Sequence, residues 1–216
     1  MIKAAIFDVD GTLFESMPFW NNAGKLFLES IGIFTEEDLS SILLSMSMEE
    51  GAEFLIKKFV PHMSVSQVLQ GIINVMSDAY KNRIPLKKGA EKLLRNLKEK
   101  NIPVVLATAT DRGLLEAALE RLEISEYINQ IFTCSECNTT KSVPDIYLKA
   151  CEWAKAKPEE TVVFEDTLLA VSTASGAGFI VAAVKDDASA KYYEQIKQKA
   201  YLVIEDFDEF NLEIKK

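Results

Sequence analysis

Ala4-Ala5-Ile6-Phe7-Asp8-Val9-Asp10-Gly11-Thr12 decides how this chain is read. Four apolar residues stop abruptly at an acid, a second acid follows two residues later, and a glycine then lets the backbone turn tightly. Two other stretches are built alike. Pro103-Val104-Val105-Leu106-Ala107 runs into Thr108, and Thr161-Val162-Val163-Phe164 runs into Glu165-Asp166. Continuous apolar runs of this length, bounded by polar and Gly-containing segments, read as buried strands of a parallel sheet. Ligands of open α/β sheets bind in the crevice beyond the carboxyl ends of the strands. Asp8, Asp10, Glu165, Asp166 and the Thr108 hydroxyl are therefore directed at one place.

From residue 86 onward, helical and strand-like stretches alternate. Gly89 to Lys100 places Leu93, Leu94 and Leu97 on one helical stripe, and Arg112 to Leu122 repeats the spacing through Leu114, Leu115, Ala118 and Leu122. A short strand is expected around Ile131–Thr133. Pro144 is well placed to open a helix carrying Ile146, Tyr147, Ala150 and Trp153. A helix from about Leu168, a strand over Phe179–Val184, a helix over 189–199 and a short strand near Tyr201–Ile204 complete the pattern. The expected architecture is α/β, a Rossmann-like, doubly wound and mostly parallel sheet.

Residues 15–85 break the alternation. Phe19–Ile31, Glu36–Leu44, Met48–Phe59 and Ser64–Lys81 carry helical period, punctuated by Pro18, Pro61 and Pro85. The expected organisation is a catalytic core of residues 1–14 and 86–216 with an inserted four-helix cap domain over 15–85. A helical element over the strand ends is suited to be a lid that excludes water.

The gross composition narrows the function. With 216 residues the chain is long enough for a full core and an insertion, and 48% hydrophobic with 26% charged residues is ordinary for a globular protein. A net charge of -9 argues against nucleic acid and against an anionic membrane surface as partners. No run of about 18 apolar residues is present to span a bilayer. A strand beginning at residue 4 leaves no room for a signal peptide, and three cysteines do not make a disulfide scaffold. A cytoplasmic location is expected.

Asp8 and Asp10 lie two apart and would share a side if the strand ran through both. Asp8 is then suited to attack phosphorus as a carboxylate nucleophile, and Asp10 to protonate the leaving oxygen and deprotonate the hydrolytic water. Gly11 lets backbone amides face the phosphoryl oxygens. Four carboxylates facing an anionic substrate would repel it without a cation, and hard oxygen ligands beside phosphate point to Mg²⁺. Thr108 supplies a hydroxyl. A lysine is needed on the transferring group, and Lys141, just ahead of the Pro144 helix, is the best placed.

Asp8-Val9-Asp10-Gly11-Thr12, Thr108, Lys141 before Pro144-Asp145, and Glu165-Asp166 together resemble the four motifs of the haloacid dehalogenase superfamily, in order, with the insertion where its type-1 helical cap belongs. The resemblance spans essentially the whole chain. It implies Asp8 as nucleophile and Asp10 as acid/base. It also implies that the Asp8 carboxylate, the Asp10 carbonyl and Asp166 bind Mg²⁺ with Glu165 in support. Ala107-Thr108-Ala109-Thr110 resembles the second motif of the β-phosphoglucomutase branch, which adds Ala109 to the phosphate-binding candidates Gly11, Thr108 and Lys141. In the dehalogenases the position of Asp10 is not acidic, so the resemblance is to phosphatase-type members. Two positions depart from the pattern: the segment Lys141-Ser142-Val143-Pro144-Asp145 lacks the proline that often follows the motif lysine directly, and Ala170 stands where relatives usually have glycine. Relative to the mutase, Trp20 replaces a cap-hinge histidine and Met48 lies near a cap arginine's place.

Blander readings compete at several positions. An isolated Asp-x-Asp is usually a loop or cap. Thr108 alone would read as a strand-end hydroxyl capping the next helix, and Lys149, Lys155 and Lys157 lie close to Lys141 in sequence. Cys134-Ser135-Glu136-Cys137 has C-x₂-C spacing but no second pair, and His62 reads as structural or surface. Trp20 and Phe27 read as cap core, and Met46 and Met48 as packing, although Trp20, Met46 and Met48 are also the candidates for contact with substrate. The stretch Ser45-Met46-Ser47-Met48-Glu49-Glu50 contains no Lys or Arg, so the non-phosphate end of the substrate is expected to be neutral or weakly polar.

The sequence thus predicts a Mg²⁺-dependent phosphatase that hydrolyses a small phosphorylated metabolite through an aspartyl-phosphate. A β-phosphoglucomutase-like sugar-phosphate mutase is the nearest alternative. A receiver-like phospho-acceptor signalling protein is the alternative of another class, although such domains are shorter and lack a helical insertion after the first strand.

Overall fold

The computed structural model describes residues 2–43 and 46–213. The chain divides into two compact units, with boundaries between Glu15 and Ser16 and between Ile84 and Pro85.

The larger unit is built on a six-stranded, wholly parallel sheet: β1 (Ala4–Phe7), β2 (Val104–Thr108), β3 (Gln130–Thr133), β4 (Thr161–Glu165), β5 (Ile180–Val184) and β6 (Leu202–Ile204). Their order is β3-β2-β1-β4-β5-β6. This is the doubly wound arrangement, in which chain direction across the sheet reverses beside β1 and opens a crevice there. Ile6 pairs with Val105 and Val163, and Phe7 with Leu106 and Phe164. That register brings Asp8, Thr108 and Glu165 to the same edge. β1, β2, β4 and β5 are buried along their whole length, as their apolar runs require.

The two faces of the sheet are packed differently. Ile6, Val105, Val163 and Val181 meet Ile146 and Tyr147, Val171 and Ile196 from three helices on one side. On the other, Phe7 and Phe164 stack with ring centres 4.3 Å apart, and Phe207 and Phe210 pack edge-on against Phe164. Adjacent residues of one strand serve opposite faces, as the period of two dictates.

The smaller unit, Ser16–Ile84, is helical: α1 (Met17–Asn21), α2 (Ala23–Ser30), α3 (Leu39–Leu43), α4 (Met48–Lys58) and α5 (Val65–Asn82). Of the four helical stretches expected here, the first is two helices rather than one. Asn22 leaves helical geometry (φ -103°, ψ 8°) and its side-chain amide donates to the Pro18 carbonyl at 2.8 Å, a local bond that competes with helix continuation. The stretch expected from Glu36 starts only at Leu39, because the Asp38 carboxylate accepts from the Ser41 amide and from the Ser40 and Ser41 hydroxyls. Its expected end, Leu44, lies outside the described residues. The last two helices open with capping boxes, Ser47 with Glu50 and Ser64 with Gln67.

The remaining helices belong to the larger unit: α6 (Ala90–Glu99), α7 (Arg112–Arg121), α8 (Asp145–Trp153), α9 (Leu168–Gly176) and α10 (Tyr193–Lys199). The helix expected over 189–199 enters through a 3₁₀ turn at Asp187–Tyr192. Among the described residues, no helix is long and apolar enough to cross a membrane.

Candidate active site

β1 ends at Phe7, but its hydrogen bonding extends one residue further, since the Asp8 amide donates to the Phe164 carbonyl at 3.0 Å. The chain then turns. The Val9 carbonyl accepts from the amides of Thr12, Leu13 and Phe14. Gly11 supports this turn with φ 75°, a left-handed conformation that glycine adopts without steric penalty. The strand therefore does not run through both acids, and their side chains separate. Asp8 pairs with Lys141, which also bonds Glu165, whereas the Asp10 carboxylate accepts a hydrogen bond from the Thr110 hydroxyl.

Three of the four residues expected at the metal bring their carboxylates into a tight group. Asp8, Glu165 and Asp166 each offer an oxygen, and these oxygens lie within 4.8 Å of one another. All three residues are buried. The Lys141 ammonium contacts Asp8 Oδ1 and lies 2.6 Å from Glu165 Oε1. Its sequence neighbours Lys149, Lys155 and Lys157 are exposed. Glu165 Oε1 also accepts the Tyr147 hydroxyl at 2.7 Å, and Asp166 Oδ1 accepts the Thr12 hydroxyl at 3.0 Å.

The electrostatics follow from three acids crowded together away from water. Burial, then the charge of Glu165, push the Asp8 carboxyl well above its ordinary range against the pull of Lys141. Burial and Glu165 likewise raise Asp166 to about 7. Burial works against the Lys141 ammonium, but Asp8 and Glu165 more than offset it and hold its pKa above the usual lysine value. Burial, with Glu165 beside it, raises the Tyr147 hydroxyl, so Tyr147 is a donor at any physiological pH.

A hard divalent cation fits this group. The donors are all carboxylate oxygens, and Glu165 Oε2 is buried without a hydrogen-bonding partner. A buried charged oxygen left unpaired is costly. Three carboxylates against one ammonium also leave two negative charges uncompensated, the charge of one Mg²⁺.

The other expected site residues are more scattered. Thr108 is buried at the end of β2, and its hydroxyl oxygen accepts the Thr110 amide at 3.0 Å, the local turn bond of a strand-end threonine. Ala109 is exposed in the same turn. Cys134 and Cys137 are free and half-buried, and burial raises the Cys134 thiol. Cys151 is buried on α8, with its thiol donating to the Ala156 carbonyl at 3.2 Å. His62 is exposed.

Within the helical unit, Trp20, Met46 and Met48 line one cavity of about 200 Å³ together with Leu43, Leu55 and Ile72. None of the described residues lining it is charged. Ser45, the first residue of the stretch singled out for its lack of basic groups, lies outside the described residues. The Trp20 indole N–H donates to the Tyr80 hydroxyl at 3.0 Å.

Sequence reasoning missed three contacts: Thr12 to Asp166, Thr110 to Asp10 and Tyr147 to Glu165. Thr12 lies in the deciding stretch, and Thr110 two residues beyond Thr108. Tyr147 carried no signal except its place on the buried stripe of α8.

The family model for haloacid dehalogenase-like hydrolases matches residues 2–178. A phosphorylated carbohydrates phosphatase of Thermotoga maritima is 28% identical over 177 residues, 82% of each chain. The β-phosphoglucomutase of Bacillus subtilis is 27% identical over 190 residues, 85% of this chain and 83% of its own. A Thermotoga maritima crystal structure carrying a provisional β-phosphoglucomutase name superposes with a TM-score of 0.81 at 25% identity, over 94% of both chains.

Proposed function

The chain belongs to the haloacid dehalogenase-like hydrolase family, and from that premise we propose that it is a Mg²⁺-dependent phosphatase acting on a small phosphorylated metabolite whose non-phosphate end is uncharged. The observation that carries this reading is the contact of Lys141 with both Asp8 and Glu165, with Asp166 in the same acidic group. A nucleophilic carboxylate, a cation for the transferring group and a divalent-metal site then occupy one crevice.

In the proposed reaction an Asp8 carboxylate oxygen attacks phosphorus, and the bond from phosphorus to the leaving oxygen breaks. Asp10 gives its proton to that oxygen as it departs. The Thr110 hydroxyl orients the Asp10 carboxylate for this step. Water then attacks the phosphorus of the aspartyl-phosphate and loses its proton to Asp10. The acyl-phosphate P–O bond breaks, releasing inorganic phosphate and restoring the Asp8 carboxylate. Lys141, with the Gly11 turn and Thr108, holds the phosphoryl oxygens. Asp8, Glu165 and Asp166, with the Asp10 carbonyl, would hold Mg²⁺, which supplies charge neutralisation on the phosphoryl group.

Phosphatase is favoured over mutase by Trp20. A mutase must return phosphate to a second hydroxyl of its own product, with a proton-transferring group poised to activate it. Trp20 stands where the mutase has its histidine, and its indole N–H is committed to Tyr80. The uncharged lining of the cavity in the helical unit supports a neutral leaving group. The receiver-like alternative is dropped with the family assignment and the helical unit between β1 and β2.

The test is hydrolysis of p-nitrophenyl phosphate by the wild type and Asp8→Asn, each with Mg²⁺ and with EDTA. Turnover is expected only in the wild type with metal. A wild type that is silent on this ester but isomerises β-glucose 1-phosphate would overturn the reading in favour of the mutase.

A further inference from the structure

One buried cation takes no part in the proposed chemistry. The Lys87 side chain is 7% exposed, and its ammonium lies 2.7 Å from Asp186 Oδ2 and 3.1 Å from Glu15 Oε2. The Asp186 side chain is 3% exposed, whereas that of Glu15 is 44% exposed. The Lys185 carbonyl accepts from the same ammonium at 3.3 Å. A buried ion pair is weak support for stability, because well-packed apolar side chains serve as well or better. Its location calls for another explanation.

Two structural routes lead from this pair to Asp166. Along the chain, the Lys87 amide donates to the Leu13 carbonyl at 2.9 Å, and the Glu15 amide to the Pro85 carbonyl at 2.9 Å. These bonds hold the exit of the turn that carries Thr12, whose hydroxyl grips Asp166. Across the sheet edge, Asp186 stands two residues beyond β5 and Asp166 one residue beyond β4, and both line one small cavity of about 10 Å³. Across so small a cavity, with little water between them, the Asp186 charge acts directly on the field at Asp166.

We propose that Lys87 and Asp186 are a charge-balancing and positioning pair for the metal site, setting the field at Asp166 and thereby the affinity for the divalent cation. Asp186 adds negative potential next to the cation's ligands, and Lys87 caps that potential while fixing the Asp186 carboxylate in place. Neither side chain touches the substrate or the reacting atoms. The inference rests on the metal site of the proposed function.

Calorimetric titration of MgCl₂ into the metal-free protein tests it. Asp186→Asn is nearly isosteric and retains an oxygen for the Ala188 amide, which Asp186 Oδ1 accepts at 2.9 Å. It removes one negative charge and should weaken Mg²⁺ binding roughly fivefold. The double variant Lys87→Gln/Asp186→Asn restores the charge balance and should return the affinity to within about twofold of wild type. A merely structural pair would make the double variant the weaker binder. Glu15→Gln, at a half-exposed position, should weaken binding about twofold and carries the test if Asp186→Asn does not fold. An Asp186→Asn affinity equal to wild type, or a double variant worse than the single, overturns the inference alone. No Mg²⁺ binding by the wild type overturns the metal site with it.

Discussion

The Tyr147 hydroxyl and the Lys141 ammonium share one acceptor, Glu165 Oε1, at 2.7 and 2.6 Å. The other Glu165 oxygen, buried and unpartnered, is thereby left for a cation. Tyr147 is held in turn by the core, its ring edge-on to Phe179. A helix residue packed on the sheet thus dictates how an active-site carboxylate divides its two oxygens.

Tyr147→Phe isolates that role, since it deletes one hydroxyl and leaves the ring. Loss of the hydrogen bond to a charged acceptor should cost about 2 kcal/mol of stability, visible as a lower unfolding midpoint. Glu165 Oε1 would keep only Lys141, and the carboxylate would gain freedom to turn. We expect kcat to fall roughly tenfold with KM little changed, the signature of a lost transition-state interaction rather than lost binding. A variant altered in stability but not in kcat would make Tyr147 a packing residue only.

The acidic group makes stability depend on pH in a direction opposite to that of a salt-bridged carboxylate. Burial and the charge of Glu165 place Asp166 at about 7, above its ordinary value of 3.8, and Asp8 is raised as well. Between those values the folded state binds more protons than the unfolded state, so the metal-free protein should lose stability as pH rises from about 4 to about 7. A divalent cation competes with those protons, so stabilisation by Mg²⁺ should grow across the same window. Thermal unfolding in EDTA and in excess Mg²⁺ across this range checks both slopes. An apo protein whose stability rises steadily to pH 7 would contradict the assignment.

The uncharged cavity of the helical unit makes a prediction about selectivity. Met48 lies on its lining and is 46% exposed, so a lysine there is accommodated without burying a charge. Met48→Lys should leave the fold intact and shift preference toward substrates with a second anionic group, such as a sugar bisphosphate. A change of about tenfold in relative kcat/KM is the size expected for one partly solvated ion pair, about 1 kcal/mol or slightly more. An unchanged ratio across a panel of matched mono- and bisphosphates would separate this cavity from substrate selection.

Most of the sheet was legible in the chain because a buried parallel strand must be apolar on both faces. The runs ending at Asp8, Thr108 and Glu165 announced three strands and their functional ends. Helical period marked the α6 stripe to the residue; in α7 it found Leu115 and Ala118, but Leu119 is buried with them while Leu114 and Leu122 are only half-buried. It did not reveal the break at Asn22 or the delayed start after Asp38, because short polar side chains that bond to their own backbone override periodicity.

Legible in the chain were the residues at the strand ends and the need for a lysine beside them; of the four acids expected to meet there, three do. Their division among partners came from the folded arrangement: Asp10 with Thr110, Asp166 with Thr12, and Glu165 between Lys141 and Tyr147. It also paired Lys87 with Asp186, ninety-nine residues apart. The physical reason is one of range. Periodicity and turn chemistry act over a few residues, whereas a buried charge takes whichever partner strand order and register bring within about 3 Å.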